Sequence, residues 1–306
     1  MVGRPHNQKT SHQKVLDQFK LIRDVPESIV RTKSSFDNEY GAHTLFKLAF
    51  LNYYMGVFFP IAKANFNKIF YVDLLAGSGL VKIRDTDSYV KGSALLAATS
   101  KYAFTKLICC EIDEKRATLL KLRLNLLKVP NEVIQGDVNT KMDEIISICE
   151  IDKETIILLF VDPEGMEINI DIIKKIVDRT KCVDIMLNYN FGIDRMKARA
   201  ELYQGEADIQ KMRSMAPGYQ PGDDPSLIAM DYLKNTLGRQ VGRKVDICRD
   251  TGRPEYSIII RTRRTYFGSK WLQSLDSIIN YINQCDGQDA ARILSQACGS
   301  QQVLDV

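Results

Sequence analysis

Between residues 68 and 190 short apolar runs alternate with amphipathic ones. KIFYVDLL (68–75), KLICCEID (106–113), NEVIQGD (131–137), TIILLFVDPEG (155–165) and CVDIMLNYN (182–190) are short, rich in β-branched and aromatic residues, and read as strands. GSALLAATSKYAF (92–104), EKRATLLKLRLNLL (114–127), NTKMDEIISICE (139–150) and INIDIIKKIVDRT (168–180) read as helices. Strands that are apolar throughout and are separated by helices imply parallel βαβ units with both sheet faces covered. The expected fold is α/β: a Rossmann-like, mainly parallel sheet with helices on both faces.

Outside that stretch the pattern changes. Residues 1–40 form a polar N-terminal extension with helical tendency over 11–23 and a break at Pro26. AHTLFKLAFLNYYMGVFFPIAKA (42–64) reads as a pair of packing helices that Pro60 terminates or kinks. LVKIRDTDSYVK (80–91) reads as a polar loop. Residues 191–226 contain the turn-rich APGYQPGDDP and read as a mobile substrate loop or a small helical insertion. A helix over 225–237 precedes two strand-like runs, GRKVDICR and EYSIIIRTRR, and an amphipathic helix, SKWLQSLDSIINYINQ. The main domain thus spans 41–285 and a weakly helical tail covers 286–306.

Composition narrows the function classes. The 306 residues are 45% hydrophobic and 26% charged with a formal net charge of +4, which permits contact with phosphate without demanding it. No run approaches the ~20 apolar residues of a membrane span, and the polar start lacks a secretory signal. No membrane association is expected. Seven scattered cysteines without CxxC spacing fit reduced core residues in a cytoplasmic protein. His6, His12 and His43 offer no metal-ligand spacing, so no metal is expected.

The chemistry gathers at strand ends. YVDLLAGSGL puts Asp73 inside the first strand of the alternating region, with Ala76, Gly77 and Gly79 at its carboxyl end, where open α/β sheets bind ligands. The alternative is a simple tight turn. A dinucleotide fingerprint needs a third glycine, yet Lys82 stands there and the next helix starts only near Gly92, too late to cradle a pyrophosphate. A nicotinamide dehydrogenase is therefore disfavoured. S-adenosylmethionine has no phosphate and suits a bare turn with a nearby acid. Glu111, followed by Ile112, ends the next strand and is placed to accept from both ribose hydroxyls. Asp113 is expected to cap the following helix. Asp137, followed by Val138, is placed either to accept from the adenine amine or to cap its own helix. Asp162 and Pro163 close the fourth strand in a turn that proline stiffens, which keeps a carboxylate aimed at the cleft. Asn188, at the fifth strand end, is either an acceptor ligand or a buried loop residue. Arg261, Arg263 and Arg264 with Tyr266 and Phe267 match a polyanion surface or a solvated edge strand.

HTLFKLAFLNYY, FYVDLLAGSGL, KGSALLAA, CCEIDE, GDVN, FVDPEG and YSIIIRTRRTYFG followed by Trp271 together resemble the three-Cys-motif partner proteins over residues 40–275. That family usually has Phe where Glu164 stands and Pro where Ser78 stands. The resemblance implies a class I methyltransferase core, S-adenosylmethionine as cofactor, and a nucleic-acid or cysteine-motif protein partner. The function expected is methyl transfer to an unidentified acceptor. The alternative is a catalytically inactive cofactor-binding module of a defence or modification complex.

Overall fold

In the computed structural model, which describes residues 9–165, 168–190, 206–249, 254–264 and 270–299, the alternating runs become strands β2 (Lys68–Asp73), β5 (Lys106–Glu111), β6 (Asn131–Gln135), β7 (Thr155–Val161) and β8 (Val183–Asn190). With β9 (Val241–Cys248) and β10 (Pro254–Thr262) they form a seven-stranded sheet of order β6-β5-β2-β7-β8-β10-β9. All neighbours are parallel except β10, which runs antiparallel to both β8 and β9. The chain starts at the centre on β2, winds out to β6, then returns to β7 on the other side of β2. This is the Rossmann-like arrangement expected from the sequence, and it opens a crevice at the carboxyl ends of β2 and β7.

Strand alternation assigns the two faces. Tyr71, Leu107, Cys109, Leu158 and Phe160 pack toward α1 (Ser11–Arg23), α3 (Thr44–Asn65), α4 (Ser93–Ala98), α10 (Asp276–Ile282) and α11 (Gly287–Ala297). Phe70, Val72, Ile108, Leu159 and Val161 pack toward α6 (Val138–Ile148), α7 (Asp171–Arg179), α8 (Glu206–Met215) and α9 (Pro225–Asp231). Residues near the start are not peripheral to this core: Val15, Phe19 and Ile22 of α1 are fully buried in it.

Several expectations need correction. The pair of helices over 42–64 is one continuous helix, α3, with Pro60 inside it. Proline removes the amide that would bond the Gly56 carbonyl, and the Tyr102 hydroxyl donates to that carbonyl instead at 3.4 Å. By length and composition α3 is also apolar enough to cross a membrane, contrary to the sequence reading, yet the fold buries most of it against the sheet. The presumed polar loop after the glycine turn is a hairpin, β3 (Leu80–Ile83) and β4 (Tyr89–Lys91), because Leu80, Val81, Ile83 and Val90 find the core. A further strand, β1 (Asn38–Tyr40), pairs parallel to β3 and completes a three-stranded sheet. The helix expected over 92–104 stops at Ala98, where the Thr99 hydroxyl bonds back to the Leu95 carbonyl at 2.8 Å. Among the described residues of the tail, Gly287–Ala297 form helix α11, begun by a reciprocal capping box between Asp286 and Asp289. β10 lies inside the sheet, so Arg261 and Arg263 do not belong to an edge strand. Arg263 and Arg264 follow its end, exposed, while Tyr266 and Phe267 fall outside the described residues, as does the 191–205 part of the insertion.

What fixes the first of these added strands is a buried arginine. Arg123, on α5 (Glu114–Leu126), has five N–H donors and all five are used. Nε and Nη2 donate to the Thr32 hydroxyl and carbonyl at 2.9 and 2.7 Å. Nη1 and Nη2 reach Asp37 at 2.6 and 3.2 Å, and Nη1 also reaches the Ser78 carbonyl at 2.9 Å. Asp37 in turn accepts from the Ser78 hydroxyl at 2.7 Å. The segment before β1 is thereby tied to the glycine turn. Replacing Arg123 with Met leaves a buried aspartate unpaired; we expect a loss of about 3–5 kcal/mol, read from the urea unfolding midpoint.

Candidate functional site

The turn after β2 is built from glycines that have no substitute. Gly77 and Gly79 adopt φ of +62° and +86°, in the left-handed region. A Cβ on Gly77 would come within 2.8 Å of Asn38 Oδ1, and one on Gly79 within 2.8 Å of Leu120. Glu111 at the end of β5 holds the turn in place: Oε2 accepts from the Gly77 amide at 2.8 Å and Oε1 from the Asp113 amide at 2.9 Å. Asp113 caps α5 through the Arg116 amide, as expected. Asp137 also caps a helix, its Oδ1 accepting from the Asn139 amide and side chain at 2.9 and 2.8 Å.

These elements enclose a cavity of about 230 Å³. Ala76, Gly77, Gly79, Glu111, Ile112, Asp137, Val138 and Asp162, eight of the residues singled out in the sequence, line it together. Ile112 stands 63% exposed on its lip, an unusual place for an isoleucine and an open apolar surface for a ligand. Asp73 does not line the cavity. It lies fully buried beneath the turn, with Oδ2 accepting from the Tyr71 hydroxyl at 3.1 Å. Its Oδ1 has no hydrogen-bond partner of normal geometry. Burial raises its pKa to about 7, helped by the negative charge of Asp162 and opposed by the Ser93 hydroxyl, the Tyr71 hydroxyl and the Leu75 amide.

Pro163 and Asn188 line a second cavity of about 310 Å³, which shares Tyr40, Thr44, Lys47, Asp162 and Glu164 with the first. Asp162 is the hinge between the two. Its Oδ2 takes the Lys47 ammonium at 2.5 Å, and its Oδ1 accepts from Asn188 Nδ2 at 2.5 Å. Asn188 is 4% exposed and its Oδ1 lacks a partner. Glu164 accepts from the Tyr40 hydroxyl and from Asn38 Nδ2 at 3.1 Å, closing the seam from the β1 side.

Sequence reading missed Asn38, Tyr40, Lys47 and Glu164 as lining residues. Lys47 carried a signal: it is the sole lysine, arginine or acid between residues 42 and 62, in an otherwise apolar and neutral helix. A lone charge on such a helix needs a partner at the sheet. The β1 residues carried none, because pairing with β3 and the Arg123 contacts on the segment before them bring them here.

No protein-family model matches the chain, and no curated protein matches it by sequence. Solved structures with a related layout include a Legionella pneumophila protein, 14% identical, aligned over 82% of this chain and 94% of its own, with a TM-score of 0.48. An O-methyltransferase from Bacillus cereus, solved with S-adenosylhomocysteine, is 12% identical over 85% of this chain and 93% of its own, TM-score 0.42. TomG, an O-methyltransferase from Streptomyces achromogenes solved with S-adenosylmethionine, is 12% identical over 85% and 100%, TM-score 0.44. Likeness at this level assigns no activity to the chain.

The raised pKa of Asp73 has a sign that can be tested. The folded state holds the proton more tightly than the unfolded chain, so the stabilisation is complete below the ordinary value of 3.8 and is lost as pH rises to about 7. Asp73→Asn is expected to flatten that decline in denaturation midpoints measured across the same range.

Proposed function

We propose that the chain is an S-adenosylmethionine-dependent methyltransferase. The observation that carries the reading is the coincidence of a bare glycine turn, an acid at each of the next two strand ends, and an exposed isoleucine around one cavity. After accepting one amide on each oxygen, Glu111 retains a lone pair on both for the two ribose hydroxyls. Ile112 and Val138 offer apolar surface to the adenine ring, and Asp137 keeps Oδ2 for its amine while Oδ1 caps the helix. Asp73 lies buried beneath the turn, outside the cavity, and bears on the cationic methionine end only through space.

When bound, the cofactor supplies an electrophilic methyl group. The chain's own residues do the rest. Asp162 stands where both cavities meet, fixed from two sides by Lys47 and Asn188, so it orients an acceptor in the second cavity and takes up the proton that the acceptor releases. Seven free thiols fit a cytoplasmic setting. The partner in this reading is a nucleic acid or a cysteine-motif protein. A second reading, a binding module without catalysis, draws on Glu164, whose bonds to Asn38 and Tyr40 narrow the seam between the cavities.

Calorimetric titration with S-adenosylhomocysteine tests the main reading. The native chain is expected to bind one equivalent, and Glu111→Ala to bind about tenfold to a hundredfold more weakly, with circular dichroism confirming the fold. A native chain that takes up no ligand contradicts it.

A further inference from the structure

The second cavity has its own recognition chemistry, distinct from that of the cofactor cleft. Its polar end carries two acceptors side by side. Asp162 is one. Asn188 is the other, and its orientation is not ambiguous: a carboxylate cannot accept from an amide oxygen, so the bond to Asp162 requires Nδ2 there and leaves Oδ1 over. That oxygen is buried and without a partner, a costly state that a donor from a ligand would relieve. Two adjacent acceptors fit a group with two hydrogens. An amino group can donate one to each, and neither bond uses the nitrogen lone pair. A hydroxyl has one hydrogen and leaves one acceptor unmet.

The remaining lining carries three rings. Tyr40 and Tyr256 hold the Lys47 ammonium between their rings, 5.6 and 5.4 Å from the centroids, and His43 packs on Tyr256 with 5.8 Å between ring centres. His43, Tyr40 and Tyr256 all line the cavity, a surface suited to a planar ring. Outward, the cavity shares Gly41, His43, Arg84 and Arg249 with a further one of about 450 Å³, lined also by Ser88, Gln288 and Ser295. Arginines at that junction suit a phosphate attached to the ring's sugar.

From this geometry we propose that the methyl acceptor is the exocyclic amine of a nucleobase, bound with its amino group between Asp162 and Asn188, its ring against Tyr256 and His43, and its phosphate toward Arg84 and Arg249. The proposal rests on the methyltransferase reading and names the substrate class for that site.

Binding of adenosine and cytidine 5′-monophosphates, set against inosine and uridine 5′-monophosphates, tests it by NMR or calorimetry on the full chain saturated with S-adenosylhomocysteine. An amino nucleotide is expected to bind about tenfold or more tightly than its oxo counterpart, since a buried acceptor left unpaired discriminates strongly. Asn188→Leu is expected to abolish the preference while S-adenosylhomocysteine still binds. Arg84→Gln is expected to weaken all four nucleotides alike. Equal binding of amino and oxo forms, a preference that survives Asn188→Leu, or no nucleotide binding by the cofactor-loaded chain overturns the proposal and leaves the methyltransferase reading standing. Failure to bind S-adenosylhomocysteine at all overturns both.

Discussion

Every donor of the Arg123 guanidinium finds an acceptor, and those acceptors lie on two separated stretches of chain: Thr32 and Asp37 before β1, and Ser78 in the glycine turn. A buried guanidinium is tolerated only when it is paired and fully bonded. Satisfying it forces the segment before β1 onto the glycine turn, which brings Asn38 and Tyr40 to the rim of the first cavity and within reach of Glu164. The shape of the first cavity therefore depends on an ion pair that does not line it. Glu111 completes the scaffold from the other side by pinning Gly77 to the end of β5.

Charge within the site is arranged in the same economical way. Glu111, Asp137, Asp162 and Glu164 line the first cavity with two cationic side chains, Lys47 and Arg116, and Asp73 lies buried beneath them. Glu111 and Asp137 are answered by backbone amides, Asp162 by Lys47 and Asn188, Glu164 by Asn38 and Tyr40. Asp73 alone of these acids is fully buried, and the loss of solvent lifts its pKa to about 7 against the hydroxyls of Ser93 and Tyr71. The second cavity is thus left with one acceptor unmet, the buried Oδ1 of Asn188.

The sheet was legible in the sequence because each strand carries its own burial pattern, and β2, β5, β6, β7 and β8 fall where their apolar runs do. The residues at those strand ends were legible for the same reason: once the strands are placed, their carboxyl ends follow. The β3–β4 hairpin was hidden because its strands are four and three residues long and interrupted by Arg84 to Ser88, which read as loop. The continuity of α3 through Pro60 depended on a hydroxyl 46 residues away in the chain. Lys47 on Asp162, and Asn38 and Tyr40 on Glu164, are pairings across more than a hundred residues that no local pattern encodes.

All of this converges on whether adenosine occupies the space bounded by the glycine turn and the acids after β5 and β6. A crystal structure of the chain grown with sinefungin decides the point most directly. The account predicts density along Gly77 to Gly79, ribose oxygens on Glu111 and an adenine ring against Ile112. A crystal in which that space stays empty, or in which sinefungin sits elsewhere, contradicts it.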